Sequence, residues 1–232
     1  MINQESKDVK SFFEVPQKYL HKNFGIRIRR DIIQNAVKNY NFKNVLDIGC
    51  GDGSISLPLI TREKSLDLAD LSVNMLKVAQ SNIPKELLGN VTLHNTSLEQ
   101  FETTKKFDLI LAIGLLAHVP DIASAIGILQ EMLSSKGHLI IQFSDYSKLT
   151  TKMSFMTRSS KLHPLNKIYK SDLIELAVKN DLAIKSQIRF ASILPGMGYL
   201  NDQFLYKFCQ ISINNNFLSF YNSEYLLVLT QK

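Results

Sequence analysis

The sequence predicts a doubly wound α/β fold, in which a mostly parallel β-sheet carries helices on both of its faces. Three observations support this fold class: short apolar runs, amphipathic stretches between them, and a composition typical of globular proteins. The 232 residues are 45% hydrophobic and 21% charged, which is enough apolar material for a substantial core. These values exclude a disordered, collagen-like or disulfide-stapled chain. We therefore expect one domain over residues 1–232.

Five apolar runs lack the polar–apolar alternation of half-exposed strands, as is typical of strands buried on both faces of a parallel sheet. They are Val45–Ile48, Ser65–Leu71, Val91–His94, Phe107–Ile113 and His138–Phe143. Helical spacing of apolar residues predicts helices at about Arg27–Tyr40, Val73–Ser81 and Ile122–Leu133. This alternation of strands and helices indicates a doubly wound sheet.

The alternation changes after Phe143. We expect an irregular, basic excursion over residues 144–167, then a helix at Ser171–Lys179 and a strand at Ile184–Phe190. An aromatic-rich segment precedes a last strand at Tyr225–Thr230. Because the chain closes on a strand, we expect that strand to insert beside an earlier one in the antiparallel direction.

The positive charge of the chain is concentrated in one segment. There are 27 Lys and Arg residues against 21 Asp and Glu, a net charge of +6. Six cations and no carboxylate lie between Asp145 and Asp172: Lys148, Lys152, Arg158, Lys161, Lys167 and Lys170. Such a segment can attract an anionic substrate or a nucleic acid backbone. A solvated loop is the alternative interpretation.

Three features predict a cytoplasmic location. The first ten residues are polar and contain no apolar signal region. The longest apolar stretch, Leu109–Val119, is too short to span a membrane. The two cysteines, Cys50 and Cys209, lie far apart in a chain that does not need a disulfide.

The main chemical signal is the glycine-dense turn that follows the first strand, Asp47-Ile48-Gly49-Cys50-Gly51-Asp52-Gly53. Glycines permit positive φ and a close backbone approach to a ligand, and a helix expected at Ile55–Thr61 would add free N–H groups. The spacing is G-x-G-x-G, not the dinucleotide pattern G-x-G-x-x-G. Asp47 would repel a pyrophosphate but suits an ammonium or sulfonium group. Both points disfavour a nicotinamide oxidoreductase.

Asp70 is the candidate for binding a ribose. A carboxylate at the tip of the second strand can accept hydrogen bonds from both ribose hydroxyls. Asp67 is the alternative, but it lies in the middle of the predicted strand. Asp70 could instead cap the helix at Val73–Ser81, although Ser72 is already placed for that role.

Several motifs together resemble the core of class I S-adenosylmethionine-dependent methyltransferases. They are VLDIGCGDG, LADLSVNMLKVAQ, FDLILAIGLLAHVPD and LSSKGHLIIQF, in the family's order over about residues 44–143. The resemblance implies a seven-stranded sheet of order 3-2-1-4-5-7-6 with strand 7 antiparallel. It also implies S-adenosylmethionine as cofactor and S-adenosylhomocysteine as product. Residues 1–43 would then form a helical cap, 44–143 the cofactor core, 144–222 the lid and substrate insertions, and 223–232 the last strand.

The resemblance also implies roles for individual residues. Gly49, Cys50 and Gly51 would cradle the methionine part of the cofactor, with Asp47 supporting its ammonium group. Asp70 would bind the ribose. The remaining implied cofactor contacts are Leu71 against the adenine, Ser97 and Leu98 at its amino group and ring, and Ala112 and Ile113 along the methionine.

At one implied contact this sequence departs from the family pattern, and at another a second residue could serve instead. Relatives often place a carboxylate near the adenine amino group, where this chain has Ser97. Arg29 stands where related enzymes hold the cofactor's carboxylate, and Arg30 could serve instead. A solvated helix face is the other interpretation of both arginines.

His118 is the candidate catalytic base because it follows the fourth predicted strand, at the ligand-binding edge of the sheet. A base is needed only where the acceptor must lose a proton. His118 could also simply line the pocket. Tyr19, His163 and Tyr169 are candidates for the substrate side, whereas His94 is expected to be structural. No metal-ligand cluster is apparent in the sequence.

The sequence therefore predicts a methyltransferase that acts on an oxygen or nitrogen of a small molecule. The basic segment adds the hypothesis of an anionic acceptor. An RNA or protein methyltransferase and a non-catalytic binder of the cofactor are the alternatives. The chain is expected to be a monomer or a homodimer.

Overall fold

The computed structural model describes residues 23–157, 165–191, 197, 200–214 and 221–232. The strands are β1 (Asn44–Ile48), β2 (Ser65–Asp70), β3 (Val91–Asn95), β4 (Phe107–Ile113), β5 (Leu133–Ser144), β6 (Leu182–Phe190) and β7 (Glu224–Gln231). The helices are α1 (Asn23–Val37), α2 (Val73–Asn82), α3 (Ile122–Met132), α4 (Leu149–Thr157), α5 (Lys170–Lys179) and α6 (Asp202–Asn214). Short 3₁₀ turns lie at Leu57–Leu59, Lys85–Asn90, Leu98–Gln100 and Leu115–Ala117.

All seven strands form one sheet in the order β3-β2-β1-β4-β5-β7-β6. Strands β1 to β5 pair in parallel, and β7 is antiparallel to both of its neighbours, β5 and β6. This topology confirms the predicted fold class, including the inserted last strand. The parallel strands end at one edge, and the chain reverses its direction of winding between β1 and β4. In open α/β sheets, ligands bind outside the strand ends at this switch point.

A separate apolar core covers each face of the sheet. On one face, α1, α2 and α6 pack on the strands through side chains such as Ile33, Leu76 and Cys209. On the other face, α3 and α5 pack through side chains such as Leu129 and Ala177. Successive strand residues point to opposite faces. In β5, Ile140 therefore belongs to the first core, while Leu139, Ile141 and Phe143 belong to the second.

The helix expected at Ile55–Thr61 is absent, and only the 3₁₀ turn Leu57–Leu59 forms there. One hydrogen bond of the α-helical type, from residue i to residue i−4, is made there, from the Leu57 N–H to the Gly53 carbonyl at 3.0 Å. Pro58 has no N–H to donate to Ser54, so the α-helical ladder stops after that bond. The expectation of a helix N-terminus beside the glycine loop is therefore wrong.

Two segments contain helices where none was predicted. Residues 144–167 were expected to be irregular, but α4 spans Leu149–Thr157. Three of its apolar side chains, Leu149, Met153 and Met156, are exposed, while Phe155 lines a cavity, so the sequence shows no regular apolar stripe there. The aromatic-rich segment contains α6, at Asp202–Asn214.

Strand β5 begins at Leu133, five residues earlier than the predicted His138. Gly137 explains how this stretch can pack closely on β4. A Cβ on Gly137 would lie 2.8 Å from the Phe107 carbonyl oxygen, so a larger residue would push the two strands apart.

Cys50 and Cys209 are both buried, and neither forms a disulfide. None of the helices that the structure describes is long and apolar enough to cross a bilayer.

Candidate active site

The glycine loop after β1 is fixed to the end of β2. The N–H groups of Gly49 and Cys50 both donate to the Ala69 carbonyl, at 2.8 and 3.1 Å. Gly49 and Gly51 have φ values of +74° and +56°, in the left-handed region that L side chains rarely adopt. A Cβ on Gly49 would also lie 3.1 Å from Leu115 Cδ1. The loop therefore needs glycine for its own conformation and for close packing.

Asp70 links this loop to the end of β2. Its carboxylate accepts hydrogen bonds from the Gly51 N–H at 2.9 Å and the Ser72 N–H at 2.8 Å. Ser72 caps α2, with its hydroxyl oxygen accepting from the Met75 N–H at 3.2 Å. Each carboxylate oxygen has two acceptor sites, so Asp70 can also accept from ribose hydroxyls.

Asp67, the alternative to Asp70, is engaged elsewhere. Its carboxylate lies 2.8 Å from His94 Nε2 and forms an ion pair with Lys105. Asp67 is absent from the described lining of the cavity, whereas Asp70 is part of it. Of the two, only Asp70 is placed to meet a ligand there.

A cavity of about 280 Å³ opens at the carboxyl ends of the parallel strands. Nine predicted site residues line it together: Arg29, Gly49, Gly51, Asp70, Leu71, Ser97, Leu98, Ile113 and His118. Asp47, Cys50 and Ala112 are buried and are not part of the described lining. Tyr169 also lies outside that lining, and its ring makes an edge contact with Tyr146 at 5.7 Å. Tyr19 and His163 lie outside the residues that the structure describes.

Asp47 is 2% exposed, behind the glycine loop. Burial raises the pKa of its carboxyl to about 7, the Ser56 hydroxyl opposes this rise, and Asp70 and Asp52 add to it. The same burial, with Asp47 as the next cause, raises the pKa of the Cys50 thiol. The Cys50 thiol therefore stays protonated at neutral pH. The carboxyl of Asp47, in contrast, titrates near pH 7.

Arg29 is held by a carboxylate that sequence reasoning missed. Its Nη2 lies 2.8 Å from Glu224 Oε1, and its Nε donates to Glu224 Oε2 at 3.1 Å. Gln142 Nε2 donates to the same Oε2 at 2.9 Å. Arg30, the alternative arginine, is absent from the described lining and lies 3.8 Å from Asp31. The arginine at the cavity thus belongs to a three-residue network.

One end of the cavity is formed by the chain that follows β2 and β3. The Thr96 N–H donates to the Asp70 carbonyl at 3.2 Å, which joins the two strand ends. Thr96 and Glu99 line this end beside Ser97 and Leu98. Sequence reasoning missed Glu99, a carboxylate two residues beyond the Ser97 position that it considered.

The other end of the cavity contains His118, after the turn Leu115–Ala117. Asn166 fastens a separate stretch of chain over this turn. Its side-chain amide donates to the carbonyls of Leu116 and Val119 at 2.9 and 2.7 Å, and its N–H donates to Ala117 at 3.0 Å. The apolar residues around this end include Val119, Phe155, Leu165 and Ile168. This part of the cavity suits an apolar ligand beside one titratable imidazole.

Residues 23–189 match the family model of a methyltransferase domain, and the chain belongs to this family. Specifically, it is an S-adenosylmethionine-dependent methyltransferase. The glycine cradle and the Asp70 carboxylate fit that cofactor, because one allows close approach and the other accepts hydroxyl donors.

Curated relatives are similar over most of the chain. The ubiquinone biosynthesis O-methyltransferase of Pelagibacter ubique is 26% identical over 211 residues, covering 80% of this chain and 87% of that protein. The protein of the same name from Rickettsia akari is 23% identical over 205 residues, covering 80% and 81%.

Solved structures share the fold at low identity. A possible histamine N-methyltransferase from Thermotoga maritima superposes with a TM-score of 0.69 at 16% identity, covering 95% of this chain and 98% of that one. Magnesium protoporphyrin IX methyltransferase from Synechocystis, with bound SAH, gives a TM-score of 0.68 at 16% identity, covering 99% and 100%.

Proposed function

We propose that this methyltransferase acts on a hydroxyl oxygen of a small, largely apolar molecule. The observation that carries the proposal is the position of His118 among apolar residues, at one end of the cavity that also contains the glycine loop and Asp70. The O-methyltransferases of Pelagibacter and Rickettsia support oxygen as the reacting atom.

In the proposed reaction, different residues bind the cofactor and remove the proton. When bound, S-adenosylmethionine supplies a methyl group on a positively charged sulfur that leaves as a neutral thioether. Gly49, Gly51 and Asp70 hold and orient the cofactor. His118 takes the proton of the attacking hydroxyl, and an electron pair of that oxygen forms the new bond to the methyl carbon. A phenolic hydroxyl ionises only near pH 10, so a base is needed to remove its proton at neutral pH.

The charges of the cavity favour an acceptor that is neutral at its reacting end. Arg29 is the cation in the described lining, and Glu224 already neutralises it. Asp70 and Glu99 contribute negative charge. The anionic acceptor that the basic segment predicts stays a separate hypothesis, and two of its cations, Arg158 and Lys161, lie outside the described residues.

The test is methyl transfer from labelled S-adenosylmethionine to a matched set of acceptors. Phenol and catechol present hydroxyls, aniline presents an amine, and protocatechuate adds a carboxylate to catechol. We expect product from the hydroxyl compounds, and much less product from the Asp70→Ala variant at a cofactor concentration near the wild-type Kd. Transfer to aniline alone would make the enzyme an N-methyltransferase. A clear preference for protocatechuate would favour the anionic acceptor.

The two alternatives have their own signatures. Cofactor binding by calorimetry, without transfer to any acceptor, would favour a non-catalytic binder. Salt-sensitive binding of RNA, with methyl incorporation into it, would favour a nucleic acid substrate.

A further inference from the structure

Gln142 is a buried polar residue in the wall of the cavity. It is 2% exposed and lies near the carboxyl end of β5, beside Ile113 of β4 in the sheet register. Its neighbours along the sequence are apolar, so an amide here is exceptional in the strand. Burying an amide costs free energy unless its donor and acceptor atoms are both satisfied.

The two ends of the Gln142 amide differ. Nε2 donates to Glu224 Oε2 at 2.9 Å, whereas Oε1 has no hydrogen-bond partner among the residues that the structure describes. This orientation is chemically fixed, because an ionised carboxylate accepts hydrogen bonds and cannot donate to Oε1. Arg29 contacts both Glu224 oxygens at 2.8 and 3.0 Å, which holds the carboxylate in place.

Gly114 leaves space next to the unpartnered oxygen. It lines the cavity with φ +71°, and a Cβ built on it would lie 3.7 Å from Gln142 Oε1. The missing side chain therefore provides room for a ligand group between the cavity and Oε1. A buried carbonyl oxygen without a partner, beside such a space, calls for an O–H or N–H donor from the ligand.

The strand order indicates which ligand supplies that donor. All the predicted cofactor contacts except Arg29 lie on or directly after strands β1 to β4, with Asp70 ending β2 and Ile113 ending β4. Gln142 is one strand further, on β5, on the side away from the ribose carboxylate. We propose that Gln142 Oε1 accepts a hydrogen bond from a second hydroxyl or amino group of the methyl acceptor. This proposal rests on the proposed function and makes Gln142 a residue that selects among acceptors.

The test compares catechol with phenol, which differ by one hydroxyl, in the wild type and in Gln142→Met. Methionine keeps the length of the side chain and removes the acceptor oxygen. We expect kcat/KM for catechol to fall about tenfold, the effect of one buried neutral hydrogen bond. The value for phenol should not change, and neither should the Kd for S-adenosylhomocysteine. Gln80→Met, at an exposed position of α2, is the matched control and should leave all three values unchanged.

Glu224→Gln provides a second test that keeps the Gln142 side chain. The new amide can donate to Gln142 Oε1 if the Gln142 amide turns over, which places Nε2 beside Gly114 in place of the acceptor oxygen. The ratio of kcat/KM for catechol to that for phenol should then fall, whereas the lost ion pair with Arg29 should affect both acceptors alike. Thermal melting of each variant checks that the fold is retained.

The possible results distinguish failure of the role proposed for Gln142 from failure of the proposed function. A tenfold weaker Kd for S-adenosylhomocysteine, with the catechol-to-phenol ratio intact, would assign the donor to the cofactor's ammonium group and overturn the acceptor role. Unchanged values throughout would overturn any ligand role for Oε1. No transfer by the wild type to any hydroxyl compound would instead refute the proposed function itself.

Discussion

Asp70 Oδ2 accepts a hydrogen bond from the Gly51 N–H at 2.9 Å, which connects the end of β2 to the glycine loop of β1. The carboxylate proposed to bind the ribose therefore also shapes the loop proposed to hold the methionine. A change at Asp70 should affect both parts of the cofactor together.

We expect Asp70→Ala to weaken binding of S-adenosylhomocysteine about 100-fold, because hydrogen bonds to a charged carboxylate contribute about 1.5–3 kcal/mol each. Isothermal titration calorimetry measures this change. Asp67→Asn is the matched control, since Asp67 pairs with His94 and Lys105 away from the described cavity lining. It should lower stability and leave the Kd as it is. An equal loss of binding in both variants would contradict the assignment of Asp70.

Gly49→Ala should lower both stability and cofactor binding. The left-handed backbone, with φ +74°, costs a non-glycine residue about 1–2 kcal/mol. The added methyl group would also meet Leu115 Cδ1 at 3.1 Å. Gly89→Ala is the control, because a Cβ there meets nothing within 4 Å. Urea unfolding and calorimetry measure the two effects, and similar results for both variants would show that the loop tolerates a side chain.

His118→Gln should lower kcat about 100-fold or more, as expected for loss of a general base. The Kd for S-adenosylhomocysteine should be unaffected. His138→Gln is the control, since His138 stacks on Tyr40 at 4.0 Å outside the described lining. A full-rate His118 variant would restrict that residue to lining the cavity.

Asn166→Ala should raise the KM for the acceptor while leaving cofactor binding nearly intact. Its side chain donates two of the three hydrogen bonds that hold its segment over the turn Leu115–Ala117. Asn180→Ala also removes a side-chain donor, to the Leu176 carbonyl at 2.8 Å, but at the end of α5. Steady-state kinetics should show the effect for Asn166 alone. Equal effects would mean that the hydrogen bonds of Asn166 contribute only to stability.

Asp47 should make the stability of the free protein depend on pH. Its pKa rises from 3.8 to about 7 on folding, so the folded state holds the proton more tightly than the unfolded state. Its contribution is fully present below about pH 4 and is lost as pH rises through 7. The change is of the order of 4 kcal/mol. Asp47→Asn should flatten this part of the profile in urea unfolding between pH 4 and pH 8, and a variant with the wild-type slope would contradict the assignment.

The parts of the site that sequence could predict are local in the chain. The glycine loop and Asp70 each sit at the junction of one strand and one turn, so pattern and spacing suffice. Glu224 could not be found in this way because it meets Arg29 across 195 residues of sequence. Asn166 likewise reaches Leu116 across 50 residues. Gln142 did leave a signal, as a lone amide in an apolar strand, but its meaning depends on Glu224.

The errors in predicting secondary structure from the sequence have specific physical causes. Pro58 lies one residue past the start of a helical ladder, and its missing N–H outweighs the helical pattern around it. In α4 three apolar side chains, Leu149, Met153 and Met156, are exposed, so the periodicity that identifies a packed helix is not present. The sheet order, by contrast, is what the family resemblance of the motifs in β1 to β5 implies, and the structure confirms it.

The position of β7 has a consequence for biosynthesis. It is synthesised after both β5 and β6, yet it lies between them in the sheet. Until it leaves the ribosome, those two strands present unpaired edges, and the carboxylate that anchors Arg29 is missing. Unpaired edges favour association between chains. The nascent chain therefore passes through a stage in which its sheet is open to aggregation.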